Sequence, residues 1–145
     1  MLRDAIDRQI IALLSDNSRL PYPAIGERVG LSAPAVKRRI DRLLADGAIT
    51  GFTVTVDPAV VGATTQAFVE VFCRGRTSPE QIRQLALRQP AVVAAYTVTG
   101  EADALLHLHC ADNGELEQTL EDIRADDVVE RTSSVIVLSC LMSRG

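Results

Sequence analysis

No apolar run in this chain of 145 residues approaches the ~20 residues a membrane-spanning helix needs. Nor does a basic-then-apolar leader open it. Met1 runs straight into a polar, amphipathic segment, and the expectation is a soluble protein of the cytoplasm with no membrane partner. Cysteine is scarce. Cys73, Cys110 and Cys140 are odd in number and far apart, each within an apolar strand-like run. They therefore read as small buried hydrophobes, and neither disulfides nor metal ligands are expected of them. An excess of positive charge is also missing, since the net charge is −4. That balance does not exclude a nucleic-acid partner, because the field that matters is local, but it predicts weak non-specific binding. The charge is uneven: residues 1–62 carry eight basic and seven acidic side chains, or +1, and residues 63–145 carry seven and twelve, or −5. With no constellation of nucleophile, acid and base, no catalytic residue, cofactor or metal is expected.

The chain does contain a pair of short helices joined by a tight turn, between Pro23 and Gly47. The first carries Ile25 and Val29 on one side and stops at Gly30, which suits the left-handed exit of a helix. Leu31 and Ser32 form the turn, Ser32 is placed to cap the second helix, and Pro34 fits its first turn. On that second helix Val36, Ile40, Leu43 and Leu44 make one apolar stripe. Ala35, Arg38 and Arg42 point roughly the opposite way, and Lys37 and Arg39 lie on the flanks. One face packs while the other is basic, as a helix in the major groove of DNA requires. Lys and Arg neutralise phosphates, and an Arg fork can also bond a guanine edge. The small residues Ser32, Ala33 and Ala35 near the helix start let the backbone come close to the groove. The candidate DNA-binding set is Ser32, Ala33, Ala35, Lys37, Arg38, Arg39 and Arg42.

Residues 4–15 read as a helix with Ile6, Ile10, Leu13 and Leu14 inward, so three stripes would enclose a small core. Phe52–Val56 alternates as a strand, a wing or a linker, ending at Asp57-Pro58. The period then changes. Strands are expected over 65–74, 91–99, 104–111 and 128–141, and helices over 79–89, capped by Ser78, and from Asp112 or Asn113 to Arg124. This βαββαβ order predicts a ferredoxin-like sandwich, so the fold class is α+β: a three-helix (winged) helix-turn-helix followed by that sandwich. The expected domains are 1–50, a linker strand over 51–62, and 63–145. Both faces of the sheet look apolar, Phe68, Phe72 and Leu105 opposite Val69, Val71, Leu106 and Leu108. Two helices cover one face only. A homodimer through the other would pair the two basic helices on a palindromic duplex site.

Several stretches resemble the Lrp/AsnC (feast/famine) regulators of bacteria and archaea. Residues 6–19, IDRQIIALLSDNSR, are similar to the family's opening helix, and 25–58, IGERVGLSAPAVKRRIDRLLADGAITGFTVTVDP, to its DNA-reading segment and linker strand. Residues 99–108, TGEADALLHL, resemble its effector loop, and 131–139, RTSSVIVLS, its closing strand. The resemblance implies a transcription factor that responds to a small molecule, an amino acid by analogy, and forms dimers and often octamers of four dimers. It also implies an effector site between dimers, at Thr99, Gly100, Glu101 and Asp103, with Thr132 and Ser134 as weaker additions. The chemistry suits that reading: backbone N–H groups near Gly100 can take an α-carboxylate and Asp103 an α-ammonium. Ala102 stands where many relatives have an aromatic, so side-chain preference stays open.

Two rival readings use the same scaffold. It resembles siroheme decarboxylases, which would need histidines, and His107 and His109 share a face of the third strand. A zinc site with Cys110 is opposed by alternation, which puts Cys110 on the other face. An effector-binding accessory protein without DNA binding is the other alternative. The basic helix argues against all of them.

Overall fold

The computed structural model describes residues 4–142 and divides into two compact units that meet in sequence between Thr55 and Val56. Residues 1–3 and 143–145, part of the expected domains, lie outside the described residues. Among the described residues no helix is long and apolar enough to cross a membrane.

The first unit holds α1 (Ala5–Asp16), α2 (Tyr22–Val29) and α3 (Ala33–Ala45). Asp4 is the cap of α1 and not its first residue, because its side chain accepts the Asp7 N–H at 2.8 Å. Ile10, Leu14, Ile25, Val36, Ile40 and Leu43 are buried together as the core of the three helices. The expected stripes are largely those observed, with Leu44 as an exception that reaches solvent. The turn from α2 to α3 depends on two glycines. Gly30 exits α2 with φ +71°, in the left-handed region that favours glycine. A Cβ on Gly26 would lie 2.3 Å from the Leu31 carbonyl oxygen, so only glycine lets the turn fold back so closely. Ser32 starts α3 through its carbonyl, which accepts from Val36 N–H at 3.0 Å, but its hydroxyl makes no capping bond, contrary to expectation. With Pro34 in the first turn, one of the orphan donors that such a hydroxyl would satisfy is already missing.

The expected strand at Phe52–Val56 is not formed. Among the described residues it has no ladder partner, and alternation alone cannot make a strand without one. A 3₁₀ turn, Pro58–Val61, which the sequence reading missed, precedes the second unit's sheet.

That unit runs β1 (Thr65–Cys73), α4 (Pro79–Leu87), β2 (Val92–Thr97), β3 (Ala104–Cys110), α5 (Asn113–Arg124) and β4 (Val129–Ile136). The sheet is antiparallel in the order β2-β3-β1-β4, with both βαβ-type crossovers placing their helices on one face. Val69, Val71, Leu106, Leu108, Ile82, Leu85, Leu116 and Ile123 are buried between sheet and helices. The start of α4 is fixed by a capping box in which Ser78 and Gln81 bond each other's backbone, and α5 is capped by Asp112. β4 ends at Ile136 and does not reach Leu141: after the Val137 N–H bond to Gln66 O no partner strand remains, and Leu138 and Leu141 are exposed. Cys73 and Cys110 are buried as expected, whereas Cys140 is exposed because it falls beyond that strand.

Candidate nucleic-acid and effector sites

The surface of α3 sorts its four cations into different environments. Arg38 is exposed and has no ion-pair or hydrogen-bond partner among the described residues. Lys37 donates to Asp41 one turn on at 2.6 Å, an exposed pair. Hydrogen bonding to Asp41 raises the Lys37 pKa. Arg39 and Arg42 turn inward. Arg39 Nη1 lies 2.7 Å from both Asp4 Oδ2 and Asp7 Oδ1. Arg42 Nη2 lies 3.2 Å from Asp7 Oδ2, while its Nε is buried without a partner among the described residues. Asp7 is fully buried. The Asp4 carboxyl is held below its usual range, first by the Asp7 backbone N–H and then by Arg39. In turn Asp4 and then Asp7 raise the Arg39 pKa.

This changes the expected geometry. At 100° per residue Arg42 sits about 40° from Arg38 and about 60° from Arg39 around the helix. Its long side chain has a choice, and the buried carboxylate draws it to the Arg39 side. Arg42 therefore does not share Arg38's outward direction. The signal for this was in the sequence. Asp7 is three and seven residues before Ile10 and Leu14, on the buried stripe of α1, where a carboxylate requires a cation from another helix. Of the small residues, Ser32 is exposed and Ala33 and Ala35 are half-buried at the start of α3.

The β2–β3 connection places Thr99, Gly100 and Glu101 in solvent, with Gly100 at φ +117°. Asp103 is more committed. Its N–H bonds Val71 O at 2.9 Å, and its Oδ2 accepts from Cys73 N at 2.7 Å. It thereby holds the irregularity in β1 between Phe72 and Cys73 and keeps only its other oxygen for a ligand. Ala102 is buried, so the loop is anchored between Glu101 and Asp103. Thr132 pairs with Val71, which pairs with Ala104, so it lies at the same end of the sheet but two strands from the loop. Its hydroxyl accepts from Arg124 Nε at 2.9 Å. Ser134, opposite Val69, is one step further along β4. Five of the six thus share one sheet end, and Ser134 lies toward the middle of the sheet. A groove of about 530 Å³ between α4 and β2 ends at Thr97, short of the loop.

On the face without helices, Phe68 stacks on His107 at 4.5 Å between ring centroids, and His109 meets His107 edge-on at 4.7 Å. Arg131 caps the Phe72 ring at 3.4 Å. The Nε2 atoms of both histidines are buried and lack a hydrogen-bond partner among the described residues. Burial, and then His109, push the His107 pKa down. Cys110 is on the opposite face, buried against the helices. Among the described residues no group of three or more His, Cys, Asp or Glu is placed to hold a metal.

Comparison with known proteins bears on both units. The AsnC-type helix-turn-helix domain model matches residues 4–44, and the Lrp/AsnC ligand binding domain model matches residues 66–145. The chain is 48% identical over 141 residues to the HTH-type transcriptional regulator Rv2324 of Mycobacterium tuberculosis, covering 97% of this chain and 95% of that one. It is 32% identical to the HTH-type transcriptional regulator AldR of Mycolicibacterium smegmatis, covering 95% and 82%. Among solved structures it is similar to the transcriptional regulator NMB0573/L-Met complex from Neisseria meningitidis, with TM-score 0.88, 26% identity, and coverage of 98% and 94%. These relatives are transcriptional regulators, not decarboxylases or other enzymes.

Proposed function

This chain belongs to the Lrp/AsnC family of transcriptional regulators, a DNA-binding helix-turn-helix joined to a ligand-binding domain, and from that premise we propose that it is a homodimeric reader of palindromic DNA whose ligand-binding domain senses an amino acid. The observation that carries the DNA half is the exposed Arg38, unpaired among the described residues, on a helix that buries Val36, Ile40 and Leu43 on its other side. Ser32, Ala33 and Ala35 bring the backbone near the groove. Lys37 and Arg38 supply outward charge, and Arg39 and Arg42 belong to the interface through their hold on α1. Residues 51–62 link this reader to the sheet domain.

The dimer forms through the helix-free sheet face, where Phe68, Phe72, Leu105 and the two unpartnered imidazoles are left by a single chain. It sets two α3 helices on two half-sites. Dimers then assemble, to octamers by analogy with the family, and complete the effector site at Thr99, Gly100, Glu101 and the free oxygen of Asp103, with Thr132 and Ser134 nearby. A site shared between dimers fits a loop whose Thr99, Gly100 and Glu101 are exposed in one chain. The NMB0573 structure is an L-Met complex, which supports an amino acid as the ligand class.

A panel of the twenty L-amino acids, each added in a thermal melt, tests the sensing half. At 100 Kd a ligand that binds only the folded state adds about 2.7 kcal/mol, enough to raise Tm by several degrees. One amino acid or one chemical group of them is expected to do so, and Glu101→Ala is expected to cancel the shift. No shift with any of the twenty contradicts amino-acid sensing.

A further inference from the structure

We propose that Asp4 and Asp7 of the first helix form a charge clamp that withholds Arg39 and Arg42 from phosphates, so that discrimination between DNA sequences rests on Arg38 and the start of α3. This deepens the DNA-reading function proposed above and depends on it.

Four cations sit on α3, and three carboxylates hold three of them. Asp41 holds Lys37 at 2.6 Å, Asp4 and Asp7 hold Arg39 at 2.7 Å, and Asp7 holds Arg42 at 3.2 Å. The local sum is +1, and Arg38 is the cation left over. The three holds differ in strength. The Lys37–Asp41 pair is exposed on both sides and exchanges readily with phosphate. Asp7 is different because it has no contact with water, and its carboxylate would be stranded if both guanidiniums left. Arg39 is bound at two points, with its side chain 23% exposed, so reaching a phosphate would require breaking both.

The functional consequence follows from how duplexes are bound. Neutralising phosphates releases counterions whatever the base sequence, so each free cation raises the affinity for all DNA alike. A base-edge contact raises it for one sequence. Removing two arginines from the first term while leaving one exposed for the second lowers the background without lowering the signal. On this account the acids of α1 set specificity, and Arg39 and Arg42 are positioning residues that fix the angle of α3 against α1.

The test is fluorescence anisotropy of the full chain on a mixed-sequence duplex across a salt series. No operator needs to be known, because the clamp governs the background term. Asp4→Asn keeps a good helix cap, since Asn caps as well as Asp, and frees one carboxylate from Arg39. Asp7→Asn is isosteric and releases Arg42. Glu130→Gln, on exposed β4 in the other unit, removes the same unit of charge elsewhere. Circular dichroism melts verify that each variant is folded at the assay temperature. Asp7→Asn, which leaves Arg42 without a carboxylate, is expected to steepen the slope of log affinity on log salt by about one per bound protomer and to tighten binding roughly 5–10-fold near 0.1 M salt, and Asp4→Asn, which leaves Arg39 held by Asp7 alone, to move both in the same direction by less. Glu130→Gln is expected to match the unmodified chain. Slopes for both α1 variants equal to that of Glu130→Gln, in a chain that binds DNA, would overturn the clamp alone. A folded α1 variant that binds more weakly would also overturn it, showing that these acids only build the helix pair. If neither the unmodified chain nor any variant binds a duplex, the DNA-reading function falls with it.

Discussion

Arg39→Ala is expected to lower the melting temperature of the helical unit by about 10 °C, while Arg38→Ala leaves it nearly unchanged. The two residues are neighbours on one helix, and a view of α3 as an amphipathic rod would make them equivalent. They are not, because the fully buried Asp7 carboxylate depends on Arg39 and Arg42 for its charge balance. Breaking a buried ion pair from one side typically costs roughly 3–5 kcal/mol, since the partner left behind has lost both water and counter-charge. About 2 kcal/mol is the fitting figure here, because Arg42 remains and both guanidiniums are partly hydrated. In a small domain 1 kcal/mol moves Tm by about 4–8 °C, which gives the expected drop. Asp7→Ala should cost less, because the freed arginines can turn to solvent. Melts followed at 222 nm decide it, and equal transitions for the Arg38 and Arg39 variants would contradict the structural role assigned to Asp7.

The second large effect is expected at the sheet. In the proposed dimer, Phe68→Glu should separate the two protomers, raising the dimer dissociation constant at least 100-fold, or about 3 kcal/mol. Phe68 is half-buried in a stack with His107 and stands beside Val135 across β4 on the face that bears no helix. Joining two such faces would take the glutamate carboxylate out of water at the point where the Phe68 ring packed. The core on the opposite face, Val69 and Leu106 among it, is untouched, so the monomer should retain its far-ultraviolet spectrum. The same stack makes the domain sensitive to acid. The His107 pKa is depressed below its ordinary 6.5, first by burial. The unfolded chain therefore takes up this proton before the folded one does. Stability is complete above pH 6.5 and falls as pH drops through 6.5 toward the depressed value. Sedimentation velocity reads the first effect and urea midpoints between pH 7.5 and 5.5 read the second. A Phe68→Glu protein that still sediments as a dimer would contradict the sheet interface.

Much of the fold was legible because the signals were local. Gly30 and Pro34 marked the helix boundaries, Ser78 marked a cap, and the change from a three-to-four-residue period to alternation at Thr65 marked the sandwich. What was missed depended on partners distant in sequence. Phe52–Val56 alternates well, yet a strand exists only through its neighbour. Residues 137–141 are apolar apart from Ser139, yet β1 has begun at Thr65 and leaves them no more ladder. For the site, composition and spacing located α3 but not the directions of its side chains. Arg42 looked like Arg38 until Asp7, 35 residues away, drew it aside. Likewise Asp103 read as a free carboxylate until the irregularity in β1 supplied a backbone N–H for it to accept.

Selection from a randomised duplex pool tests whether this helix pair reads sequence. The full chain is incubated with 20-base-pair random duplexes, and the bound fraction is recovered, amplified and sequenced over successive rounds. The pool is expected to converge on a two-fold symmetric site with half-sites about one helical turn apart, and to lose that convergence with Arg38→Ala. A pool that stays random through every round with the unmodified protein would contradict sequence reading by the helix pair.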